Sequence, residues 1–342
     1  MNFAPIDKAL DRLKSYDENI FTQSYDVRQL TFAGEGDHGM LVTPDGRNLT
    51  LTKDSVTSLS RFVKIPAGYV RTASATLVNK SLKEFGEQLE NSTANAIIHK
   101  NPIDNRLTLR GVIEEGKKFR PNSCMLENAK RIFGDDIAVE HAPWTTGEHP
   151  AFFRTRLVWP NTAVSINNDP VMLGLDLLGS DIEHIQEQIN IMLYRQVCTN
   201  GMIASYGQRP YFHFDHKKSS IFDYEPVIAS VSDRIGDDAP EIFERVRTSH
   251  GSTLTKQEAH DALLDLESRK KLPKSFVVKT MTSIEENPTF SREWDLVNAI
   301  TAQARNYKDM ARLKYEFVGG NLLGLNFKAS TKQELGLESE SN

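Results

Sequence analysis

The chain has 342 residues, 39% hydrophobic and 25% charged, with a formal net charge of −5; that size buries a substantial core in one large domain or two modest ones, and the mild acidity excludes a protein basic over its whole surface while leaving room for a local basic patch. Its two cysteines, Cys124 and Cys198, exclude a disulfide scaffold and a cysteine-rich zinc site. No window approaches the roughly 20 apolar residues of a membrane span, and the start MNFAPIDKAL lacks the basic-then-apolar pattern of a signal peptide, so a reducing, cytoplasmic setting without membrane partners is expected.

Residues 5–16 read as an amphipathic helix with Ile6, Ala9, Leu10 and Leu13 on one face. Strands are expected at 25–32 and 39–43, the second turning at Pro44-Asp45-Gly46 into Leu49-Thr50-Leu51. Asp54 stands where a helix N-cap belongs, ahead of SVTSLSRFV. The stretch IPAGY at 65–69 breaks that helix and opens a second one ending near Glu90. Strands follow at 96–99 and 106–113 around the loop at 101–105. Arg110 alternates out of phase with Leu109 and should face water or a partner.

A short helix is expected at 122–133, stopped by Gly134. Residues 137–144 and 150–159 read as strands; in the second, Arg154 and Arg156 share one face while Phe153, Thr155, Leu157 and Trp159 share the other. An apolar run at 171–178 leads into the run at 189–203, INIMLYRQVCTNGMI, around which the fold is expected to be built. Asn200-Gly201 supplies the positive-φ pair of a tight turn that ends this buried strand. After Asp223 the pattern is helical, at 226–246, 256–271, 274–284 and 292–305, with Thr255 and Glu258 as a capping box. The polar end STKQELGLESESN is expected to be disordered. The fold class is therefore α+β: a mixed or antiparallel sheet flanked by helices, with a core domain at 1–225, a helical segment at 226–330 packing on it, and a tail at 331–342.

Four stretches, in order, are more specific than composition: GLDLLGSD (174–181), YRQVCTNGM (194–202), WDLVNAITAQA (294–304) and FVGGNLL (317–323). Together with IPAGYVRTAS near Ile65 they resemble the DUF932 family, phage- and plasmid-borne proteins named for an unknown function. The resemblance spans roughly 62–323 and departs from the family's common form in the longer, more polar linker at 182–188. It implies a passenger of a mobile element, carried beside genes for single-strand binding and recombination. It implies no catalytic residue.

Cys198 sits in an apolar run, and core packing explains it better than nucleophilic chemistry. His213, Asp215 and His216 supply too few convergent ligands for a metal, so neither metal nor other cofactor is expected. Asn200 and Gly201 could present backbone N–H groups to a phosphate, although a plain turn needs no ligand. Arg195, in an apolar run, either lines a groove or pairs with a carboxylate such as Asp176 or Asp181. Arg110, Lys117, Lys118, Arg120, Arg154 and Arg156 lie among Phe119, Phe152 and Phe153, a pattern that can track a single strand by phosphate contacts and base stacking; solvated strand faces carry such arginines too.

The functional expectation is a non-enzymatic protein acting in DNA recombination or processing by binding single-stranded nucleic acid, as an oligomer in one form of the reading. The alternative is an interaction protein that binds a host or phage protein, such as an anti-defence factor. An enzyme using Cys198 or the His213 cluster ranks last.

Overall fold

The computed structural model describes residues 3–34, 39–117, 119–135, 137–140, 152–159, 163–180, 187–195, 200–203, 212–213, 224–307 and 309–324. The fold is α+β, with two sheets where the sequence pattern suggested one. The chain opens with β1 (Phe3–Pro5) and α1 (Ile6–Asp17), whose Ile6, Ala9, Leu10 and Leu13 are buried as the helical spacing requires.

The small sheet comprises β2 (Ile20–Asp26), β3 (Thr31–Ala33), β4 (Met40–Val42), β5 (Asn48–Thr50), β6 (Thr93–Lys100) and β7 (Leu107–Glu114), in the order β2-β6-β7-β5-β4-β3. All its pairings are antiparallel except β5 with β7. The first strand lies earlier than its pattern suggested. The Asp26 carboxylate accepts the Arg28 N–H at 3.0 Å and turns the chain into a 3-10 helix at Val27–Gln29, which the strand cannot cross. Helices α2 (Lys53–Phe62), α3 (Ala67–Thr72) and α4 (Ala75–Glu87) follow β5. Thr52, not Asp54, caps α2: its Oγ1 accepts the Ser55 N–H at 3.1 Å while Ser55 Oγ accepts the Thr52 N–H at 2.7 Å. The single helix expected to end near Glu90 is two, interrupted at the extended Ala73 and Ser74. A separate apolar core, including Val56, Leu59, Leu82, Ile98 and Leu109, lies between this sheet and its helices.

The large sheet comprises β1, β8 (Ala138–Glu140), β9 (Phe152–Val158), β10 (Val164–Ile166), β11 (Asp169–Ser180), β12 (Gln188–Arg195), β13 (Asn200–Ile203) and β14 (Phe212–His213). Its main path is β1-β8-β9-β11-β12-β13, antiparallel throughout; β10 pairs with β11, and β14 with β12. β10 and β11 form a hairpin whose Asn167 and Asn168 have φ of 50° and 65°, the left-handed pair that a tight hairpin turn demands and asparagine tolerates. Asn200 and Gly201 do not form such a turn. They open β13, paired with Arg195 and Tyr194; residues 196–199 lie outside the described residues.

β11 is buried on both faces, which is why its sequence reads as a continuous apolar run. Leu173, Leu175 and Leu177 face the main core, shared with α1, α5 (Ser123–Phe133), α6 (Tyr224–Gly251), α7 (Lys256–Ser268), α8 (Lys274–Glu286) and α9 (Glu293–Ala304). Phe153, opposite Gly179, fills the space above that glycine: a Cβ there would lie 1.9 Å from the ring. Met172 and Leu178 face the other way, joining Val158, Met192, Tyr194 and Leu313.

Leu313 belongs to α10 (Asp309–Asn321), a helix that the periodicity analysis did not identify. Leu313, Tyr315 and Phe317 alternate like a strand, and Gly319-Gly320 are poor helix formers. The helix packs on two sides, with Leu313 and Phe317 against the sheet and Tyr315 in the main core, so it lacks a single apolar stripe. Gly319 serves the packing: a Cβ there would come within 2.7 Å of the Thr301 methyl on α9.

Candidate functional site

β9, β11 and β12 lie side by side, and their alternation brings Arg154, Arg156, Asp176 and Asn190 to one face. Arg156 is directly opposite Asp176, and Asp176 directly opposite Asn190. This is the face on which the two strand arginines were expected to meet nucleic acid. α10 covers it. Arg154 Nε donates to Asp176 Oδ1 at 2.7 Å, and its Nη2 reaches Glu316 Oε2 at 2.5 Å. Arg156 donates to the same two carboxylates, and Arg312 Nε to Glu316 Oε1 at 2.9 Å. Three guanidiniums thus converge on Glu316.

The side chains of Asp176 and Glu316 are fully buried and that of Arg156 is 2% exposed. Burial by itself would push the Glu316 carboxyl up, but Arg156, Arg154 and Arg312 outweigh it and hold the group well below the usual carboxylate range. Arg312 moves down, through burial and then repulsion by Arg156. Charges so placed survive only because they are paired. The reading of Arg154 and Arg156 as surface phosphate contacts is corrected: their shared face is an internal ion cluster.

Arg110 is corrected as well. Its side chain is buried on β7, where it donates to the Tyr16 hydroxyl and lies 5.2 Å from the Tyr16 ring centre. Tyr16 stacks on His99 at 4.5 Å, and the neighbouring Asp17 accepts the Ser123 N–H at 2.8 Å. The C-terminal end of α1 therefore joins the small sheet to α5.

Arg195 is on the opposite face of the large sheet from the cluster, half-buried, and it pairs with a carboxylate, Asp169 in place of Asp176; Asp181 lies outside the described residues. Asp169 Oδ2 accepts from Arg195 Nε at 2.5 Å and from Trp294 Nε1 at 2.9 Å. The guanidinium lies 5.9 Å from the Trp294 ring centre, and His250 packs against the same tryptophan at 4.7 Å. His250 is 6% exposed, neither ring nitrogen has a hydrogen-bond partner among the described residues, and burial pushes its pKa down. Arg195 and Trp294, from two distant stretches of the chain, thus meet through Asp169.

The remaining candidates do not join these groups. Lys117 is half-exposed and paired with Glu114 at 3.0 Å. Arg120 lies 3.9 Å from Glu187, which accepts the Tyr224 hydroxyl at 2.6 Å. Burial, then the Glu187 charge, pushes the Tyr224 hydroxyl well up. Lys118, Cys198, Asp215 and His216, and the side chains of Phe152, Asn200 and His213, lie outside the described residues.

Sequence reasoning missed Glu316 and Arg312, because α10 was not recognised, and Asp169 and His250, which carry no local signal. Glu316 could have been suspected had Leu313, Glu316, Phe317 and Gly320 been read as one helical face. Comparison of the chain with family models, with curated proteins and with solved structures returns no match, so a functional reading rests on the residues described above.

Proposed function

We propose that this protein acts by binding, and that its partner is a protein of the host or of a mobile element rather than a strand of nucleic acid on the large sheet. The supporting observation is the commitment of the strand arginines: Arg154, Arg156 and Arg195 all spend their charge on internal carboxylates. A phosphate chain is bound by accessible cations that displace its condensed counterions, and guanidiniums already paired with internal carboxylates are not presented to it. The net charge of −5 agrees with this reading.

A second reading, nucleic-acid binding elsewhere on the surface, draws on the tip of the β6–β7 hairpin. There Ile103 is 90% exposed, between the exposed Lys100 and Arg106. The loop is pre-ordered: Asn101 Oδ1 accepts the Ile103 N–H at 2.9 Å, and Asp104 Oδ1 accepts the Arg106 N–H at 3.0 Å. An apolar wedge flanked by cations suits insertion between bases.

Fluorescence anisotropy of a labelled single-stranded oligonucleotide at low and moderate salt tests the two readings. The first expects no binding at low salt. Tight, salt-sensitive binding abolished by Lys100→Glu with Arg106→Glu would overturn it in favour of the second.

A further inference from the structure

The two edges of the small sheet are treated differently. At the β3 edge the Asn79 side chain takes the place of a missing neighbour: its Oδ1 accepts the Phe32 N–H at 2.6 Å and its Nδ2 donates to the Phe32 carbonyl at 2.9 Å. Backbone groups on that edge are thereby closed to another strand. β2, at the other edge, spans seven residues and pairs with β6 along its inner side.

The hydrogen-bond register identifies its open groups. Lys100 N donates to the Asn19 carbonyl at 2.9 Å, and Val27 N to the Ser92 carbonyl at 3.0 Å. Antiparallel pairs alternate between bonded and non-bonded, so Phe21, Gln23 and Tyr25 aim their backbone groups at β6. Ile20, Thr22, Ser24 and Asp26 aim theirs outward. Thr22, Gln23 and Ser24 are consecutively exposed, so no other described element lies over them. Residues 20–25 carry no charge, no proline and no bulge in the pairing with β6, the devices by which open edges are usually protected.

We propose that β2 is a self-association edge, and that two copies of this chain join there in antiparallel register to make one sheet from their two small sheets. A two-fold axis through Gln23 sets Thr22 opposite Ser24 and Ile20 opposite Asp26, with the outward N–H and carbonyl groups of Thr22 and Ser24 facing their counterparts. Asp26, the one charged side chain in the strand, meets an isoleucine, so no like charges are opposed. This interface is independent of whichever partner the protein binds elsewhere.

Analytical ultracentrifugation of the full chain across the micromolar range, with residue-resolved amide exchange, tests the proposal. The wild type sediments as a dimer, and its Thr22 and Ser24 amides slow as concentration rises. Thr22→Pro deletes an outward N–H without touching the β2–β6 ladder and weakens dimerisation roughly tenfold or more, since the donor is lost at two related positions. Thr22→Val keeps the dimer. A monomer at every concentration overturns the proposal, even if an added extended peptide protects the same amides. A dimer in which those two amides exchange freely overturns it too, and that result stands even if the proline variant does not fold.

Discussion

Replacing Glu316 by glutamine keeps the side chain's shape and removes its charge. In the wild type this carboxylate accepts from Arg154, Arg156 and Arg312 and is fully buried. The amide leaves three guanidiniums around a neutral group, one of whose two oxygen acceptors has become a donor facing them. Removing one partner from a buried ion pair costs about 3–5 kcal/mol. At roughly 2–4 °C per kcal/mol for a large domain, Tm falls by roughly 10 °C. Urea unfolding followed by circular dichroism measures the loss, and pH supplies an independent check. Glu316 has a folded pKa depressed well below the ordinary glutamate value of 4.5, so its contribution is complete above that value. It declines as the pH falls below 4.5 toward the folded pKa, because only the unfolded chain takes up the proton. The glutamine variant lacks that part of the acid slope, and the stability difference narrows from pH 7 to pH 3. A coupling between Glu316→Gln and Arg312→Met above about 1 kcal/mol completes the expectation. A loss under about 1 kcal/mol at pH 7, unchanged at pH 3, would refute the buried-cluster reasoning.

Charge reversal at both Arg154 and Arg156 would set four carboxylates together inside the protein; the double variant is expected to lose its folded circular dichroism spectrum, whereas a folded variant would place those side chains in solvent. Asn79→Ala strips the β3 edge of its two backbone hydrogen bonds and should cost about 1–3 kcal/mol in urea unfolding, with faster exchange of the Phe32 amide as the local signature. His250 is buried with a pKa lowered from the ordinary imidazole value of 6.5, so the unfolded chain protonates first as the pH drops through that value. Stability falls with pH in that range, and His250→Phe flattens the slope; an unchanged slope would mean that the imidazole does not titrate on unfolding.

Much of the local structure was decided by neighbours in sequence. The capping box of Thr255 and Glu258, the stop at Gly134 with φ of 73°, and the buried stripe of α1 follow from groups within one or two turns of each other. The same holds for the alternation that separates Arg154 and Arg156 from Phe153 and Leu157, because a strand's period is independent of what surrounds it. Even the turns that were misplaced have local causes, in Asp26 for the 3-10 helix and in Thr52 for the start of α2.

What tertiary structure alone decided is what lies over each face. Alternation states that Arg154 and Arg156 point the same way, but exposure depends on Glu316, some 160 residues along the chain. Asp169 joins Arg195 to Trp294, which lies 125 residues beyond it. The split into two sheets is likewise set by long-range pairing, β1 with β8 and β5 with β7. Side-chain periodicity carries direction, whereas the charge state and accessibility of an arginine depend on which distant carboxylate or helix the folded chain brings over it.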